Sequence, residues 1–147
     1  IDNKDNLGLD KSIYFSGDEV QLSFRGTKDS YVTILNIDEE QNVYLLYPNK
    51  FVQSNFIKAG EIFKIPGNLG INLKASLPEG KSETLELLHI IVSKKESLFS
   101  AEETKEISME EYNLFSIGEF KRAIERLAKL NRDEWTMMVL PYTIKAK

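Results

Sequence analysis

The sequence predicts a mainly β domain, an antiparallel β-sandwich-like fold with one C-terminal α-helix inserted before the last strand. Three observations predict it. Short segments alternate apolar and polar side chains with a period of two. In Glu19–Arg25, for example, Val20, Leu22 and Phe24 share one face, as in a strand with one side on a core. Turn signals such as Ser16-Gly17-Asp18, Pro66-Gly67 and Pro78-Glu79-Gly80 separate these segments, which is the spacing of a sandwich or barrel. One stretch, from Ser116 on, carries a clear helical period, whereas a doubly wound α/β fold needs helices between its strands.

Residues 1–11, IDNKDNLGLDK, are polar and read as a linker or frayed terminus. Residues 12–147 read as a single domain. Ile13-Tyr14-Phe15 is expected to be a short edge strand. The centre of the chain is Tyr31–Asn49. There two runs rich in β-branched and aromatic residues, Tyr31–Ile37 and Val43–Tyr47, flank the polar Asp38-Glu39-Glu40-Gln41-Asn42. Such a pair predicts a hairpin, stopped by Pro48, which has no ladder donor. Asn49–Ala59 reads as an ordered loop with a helical turn, tucked in by its aromatics.

Glu61–Ile65 predicts a further strand, and Ile71–Leu77 another with Ile71, Leu73, Ala75 and Leu77 inward. In Glu83–Ser93, Leu88, Ile90 and Val92 line one face and Leu85, Leu87 and Ile91 the other, as in a strand buried on both sides. Lys94–Tyr112 is charged and irregular and is expected to be the mobile segment. Ser116-Ile117-Gly118-Glu119 has capping-box spacing. Ile117, Phe120, Ile124, Leu127 and Ala128 then share one helical face. Trp135–Lys145 returns to strand, and Pro141 within it implies an edge position or a bulge.

The 147 residues suit one domain with a sizeable core. A formal net charge of −4 argues against nucleic acid as a partner, because phosphate binding draws on a basic patch. No cysteine is present, which excludes disulfides and thiolate zinc sites. The longest apolar run, Leu85–Val92, is far short of the roughly 20 residues that span a bilayer, so no direct membrane insertion is expected. The chain opens on Ile1 without a signal-like apolar segment. It is expected to be an excised domain or a processed protein, with any targeting segment elsewhere.

No residue set converges on catalysis. His89, the one histidine, shares a strand face with Leu87 and Ile91, while Glu86 points the other way, so a structural role is expected. A hydrolase using His89 with a carboxylate or serine is the alternative, and it requires a pocket at His89. Asp38, Glu39 and Glu40 lack calcium-loop spacing and read as a solvated turn, so no metal site is expected. Gly67-Asn68-Leu69-Gly70 lacks the lysine of a phosphate-binding loop, and no cofactor is expected. The candidate binding residues are Tyr47, Pro48, Asn49, Phe51, Asn55 and Phe56, a loop with aromatics on a rigid sheet. A carbohydrate-binding module is a further alternative. It needs two exposed, coplanar rings among Tyr14, Tyr31, Tyr44, Tyr47 and Trp135.

Several blocks occur in a fixed order: Gly17-Asp18-Glu19-Val20, Asp29-Ser30-Tyr31-Val32 with Leu35-Asn36-Ile37-Asp38, Leu46-Tyr47-Pro48-Asn49, and Ala59-Gly60-Glu61 with Ile65-Pro66. Over about Ser16 to Ser93 the chain thereby resembles the bacterial family called domain of unknown function 4384. The resemblance implies an accessory module of a cell-envelope protein, joined in its relatives to lipoprotein-like, peptidase or kinase segments, with no established catalytic residues. The expectation is therefore a non-catalytic interaction domain in the periplasm or outer envelope, whose partner is another protein or domain.

Overall fold

A computed structural model describes residues 8–147 apart from positions 50, 53, 66, 71, 96, 100–112, 116 and 131–132. The strands are β1 (Gly8–Leu9), β2 (Ile13–Phe15), β3 (Leu22–Arg25), β4 (Ser30–Ile37) and β5 (Val43–Tyr47). They continue as β6 (Phe56–Ile57), β7 (Ile62–Ile65), β8 (Glu83–Ser93), β9 (Asn113–Phe115) and β10 (Trp135–Lys145). One helix, α1 (Ile117–Leu127), precedes β10. A large sheet runs β2-β10-β8-β4-β5-β9, with β6 paired to β4, and a small sheet runs β1-β3-β7. Every pairing is antiparallel except β2 with β10. The molecule is thus mainly β, with two sheets face to face and a helix on the outer face of the larger one.

The alternation of apolar side chains explains the layers. On β8, Leu88, Ile90 and Val92 face the small sheet, where they meet Leu22, Phe24, Phe63 and Ile65 in one core. Val32 and Ile34 of β4 and Tyr142 and Ile144 of β10 join the same core. Side chains one residue out of step, Leu35, Ile37 and Ile91, point the other way. They pack under Phe120, Ala123 and Leu127 of α1, together with Leu98 and Phe99. β8 is buried on both faces because it has a sheet on one side and a helix on the other. The helix covers only part of this outer face. Towards β10 and β2, Ile13, Phe15, Leu85, Met137 and Val139 remain exposed.

The structure departs from the sequence reading at several places. Gly8–Leu9, read as linker, pairs with Leu22–Ser23 as an edge of the small sheet. Phe56–Ile57, read as loop, pairs with Ser30–Tyr31. The strand predicted over Ile71–Leu77 is only an isolated bridge between Glu19 and Lys74. Its Leu73 and Ala75 do point inward, and the bridge is carried by two backbone bonds, Val20 N donating to Leu73 O and Ala75 N donating to Asp18 O. On the helix, Ala123 rather than Ala128 lies on the buried face. Pro141 sits in a strand flanked by β8 and β2 yet breaks nothing. Thr143 N donates to Ser12 O on the β2 side, and β2 pairs only with Thr143–Lys145. Two residues earlier, the position of the missing Pro141 donor faces the same flank beyond the end of β2, where no ladder bond is required.

The capping serine and most of the segment read as mobile lie outside the described residues.

Candidate functional site

The hairpin β4–β5 ends in a turn held by one side chain. The Asp38 carboxylate accepts from the Glu40 and Asn42 amides and from Asn42 Nδ2, at 2.8–3.0 Å. This offsets a left-handed φ of 66° at Gln41, where glycine is the usual occupant. Beside the turn, between the inner face of the large sheet and the segment 73–78, the apolar core opens into a cleft of about 370 Å³.

The polar wall of the cleft comes from three neighbouring strands. Asn36 on β4 lies opposite Leu88 on β8, and Tyr142 on β10 lies opposite Glu86 on β8. Asn36, Glu86 and Tyr142 therefore converge from the same sheet face. Asn36 Nδ2 donates to Glu86 Oε2, and the Tyr142 hydroxyl donates to Asn36 Oδ1 at 3.1 Å. Asp38, Glu40, Asn42 and Tyr44 line the same space, while Leu46, Leu73, Leu77 and Ile144 give it apolar walls. Lys74 lines it too, but neither ion pair among the described residues, Lys81–Glu39 or Lys95–Glu134, involves Lys74 or Glu86.

The electrostatics follow from this placement. Burial is the main force raising the Glu86 carboxyl above its ordinary 4.5, and the Asp38 and Glu39 charges add to it, against the Asn36 and Tyr142 hydrogen bonds. Burial, then Asp38, Glu86 and Glu40, raises the Tyr44 phenol. Burial leads both shifts, and the neighbouring carboxylates add to them. Between 4.5 and the raised value, folded Glu86 holds a proton that the unfolded chain has lost, so stability falls as pH rises through that window. Glu86→Gln keeps the acceptor for Asn36 and removes this penalty. Its thermal midpoint is expected to exceed that of wild type at pH 7, with the gap closing at about pH 4. A lower midpoint at pH 7 would contradict the placement of Glu86.

The loop residues singled out from the sequence divide into two groups. Tyr47, Pro48, Asn49 and Asn55 are buried and structural. The Tyr47 hydroxyl donates to Ser54 O at 2.7 Å, and burial pushes this phenol up to about 12. Asn55 Nδ2 donates to Val32 O and Ser97 Oγ. Only Phe51 and Phe56, 52% and 40% exposed, face solvent. The expected recognition surface is thus reduced to two rings. Of the aromatics considered for a sugar platform, Tyr14 and Tyr47 are buried, and Tyr31 meets Phe56 edge to face at 66°.

His89 lies on the other side of the large sheet from Glu86, only 8% exposed. Its ring packs edge to face on Phe120, and its Nδ1 meets Leu87 O at 3.2 Å. Burial lowers its pKa below the ordinary 6.5. The ring is thus largely shielded from solvent, and no acidic residue is paired with it among the described residues. As the sole histidine it gives an unambiguous ring resonance, and its NMR titration midpoint is expected below 6.5. A midpoint at or above 6.5 would place the ring in water. Among the described residues, no group of three or more His, Asp or Glu is placed to hold a metal, and no helix is long and apolar enough to cross a membrane.

The fold and the cleft define a two-sheet, mainly β domain with one helix backing its larger sheet. The chain belongs to the family described as a domain of unknown function (DUF4384), whose model matches residues 13–96, more than half of the sequence. Among curated proteins and solved structures, none matches the chain. The family match covers β2 to β8, whereas α1 and β10, and with them Tyr142, lie beyond it.

Proposed function

We propose that this chain is a non-catalytic accessory domain of a bacterial cell-envelope-associated protein, and that it binds part of another protein in the cleft beside its β4–β5 hairpin. The observation that carries this reading is the makeup of the cleft. Amides, phenols and carboxylates converge on one space with apolar walls, the general form of a ligand site. The sole histidine is on the opposite face of the sheet, so Ser76, the one serine lining the cleft, has no histidine beside it. Membership of a family that resembles envelope modules supports the location.

The test is a protein-observed NMR screen of small amines, acids and polyols, run beside a panel of chromogenic ester, phosphate and glycoside substrates. Binders are expected to shift the amides of Asn36, Asn42, Tyr44 and Glu86, with no turnover. Turnover that disappears in Glu86→Gln, or binders that gather elsewhere on the surface, would overturn the reading. Fractionation of the producing cells with an antibody to the domain tests the location, and a cytosolic protein would contradict it.

A further inference from the structure

Resting on the cleft as the binding site, we infer that its ligand is the ammonium of a lysine side chain presented by a partner polypeptide, received by Glu86. A carboxylate is built into the cleft, and among the described residues no cation is paired with it. Glu86 accepts from Asn36 and is braced by Tyr142, both neutral groups, and Asn36 and Tyr142 are themselves buried. A charge left in this way favours an incoming cation, because an unpaired carboxylate withdrawn from water is costly and a paired one is not.

The shape of the site selects among cations. Asn36 holds Glu86 Oε2 and Tyr142 also hydrogen-bonds the carboxylate, so the two oxygens are not free together. A guanidinium fork needs both oxygens in one plane, whereas an ammonium is a point charge that one oxygen satisfies. Leu46, Leu73 and Ile144 beside it offer apolar surface along which a four-carbon stem lies while its head reaches the carboxylate. Asp38 is less available than Glu86, because its oxygens already hold the turn. Glu40 adds negative potential, and Lys74 lines the cleft without pairing Glu86.

The experiment is a calorimetric and NMR titration of the whole chain with Nα-acetyl-lysine methylamide. Its comparators are the norleucine and arginine counterparts and free 1,5-diaminopentane. The lysine compound is expected to bind and to shift Asn36 and Glu86. The norleucine compound should not bind, and the arginine compound should bind more weakly. Glu86→Gln should weaken lysine binding about tenfold or more, as expected for loss of a charge-assisted hydrogen bond. Glu40→Gln, at an exposed position, should weaken it less and guards against misfolding of the first variant.

Equal binding of lysine and norleucine, or no effect of Glu86→Gln in a folded protein, overturns the inference. Tighter binding of the free diamine than of the blocked lysine overturns the polypeptide source. A cleft that takes neutral fragments but not lysine overturns the ammonium assignment and leaves the binding-cleft reading standing. A cleft that takes nothing overturns both.

Discussion

Asn49→Ala is expected to cost about 3–4 kcal/mol of folding stability, a large share of what a domain of this size has. Asn49 is fully buried and uses its whole side chain. Nδ2 donates to Leu46 O and Leu69 O, both at 2.8 Å. Oδ1 accepts from the Phe51 and Val52 amides at 2.8 and 2.9 Å. Alanine leaves two buried carbonyls without these donors, each at about 1–2 kcal/mol, and two half-buried amides at somewhat less. The effect reaches across the molecule, because Leu69 follows β7 of the small sheet while Leu46 belongs to β5 of the large one. Urea unfolding should show a lower midpoint with an unchanged slope. Asn55→Ala, which removes bonds to Val32 O and Ser97 Oγ, should cost less, about 2 kcal/mol. A loss under about 1 kcal/mol for Asn49→Ala would mean that water replaces the side chain there.

A chain ended after residue 96, where the family match stops, is expected not to fold at all. β10 pairs with β8 along eleven registered residues, from Trp135 opposite Ser93 to Lys145 opposite Glu83. Among the described residues, β2 has no strand partner other than β10. Truncation removes Tyr142 and Ile144 from one core and Phe120 and Leu127 from the other. At about 1.5–3 kcal/mol per large apolar side chain, those four losses alone match the usual 5–15 kcal/mol of a whole domain. Far-UV circular dichroism without a strand signal and collapsed amide dispersion are the expected readings. A cooperative thermal transition in the truncated chain would show that the matched region is a folding unit without β10.

The two predictions also mark what the residues reveal by themselves. Strands such as β3, β4, β8 and β10 are legible because their side chains alternate, and α1 because Phe120, Ile124 and Leu127 recur at helical spacing. β1 and β6 are two residues each, too short for any period to register. Leu73 and Ala75 alternate like a strand because they face a core, but the pairing there extends no further than the single bridge of Glu19 with Lys74. Asn49 and Asn55 drew attention as binding residues. Buried asparagines that staple a loop have the same composition as exposed ones that bind, and only burial separates them.

The cleft has a faint signature of its own. Asn36 breaks the apolar face formed by Val32 and Ile34, and Glu86 breaks the face formed by Leu88, Ile90 and Val92. A polar residue on an inward face is a signal worth weighing. What no single strand carries is the register that brings Asn36 and Tyr142 beside Glu86, since that pairing joins positions more than 100 residues apart.

The most direct measurement is a structure of the domain with Nα-acetyl-lysine methylamide bound. The ammonium nitrogen is expected within hydrogen-bond distance of the Glu86 carboxylate, with the stem against Leu46 and Ile144. A ligand seated instead on Phe51 and Phe56 or on the exposed face around Met137, with the Glu86 cleft empty, would contradict this placement.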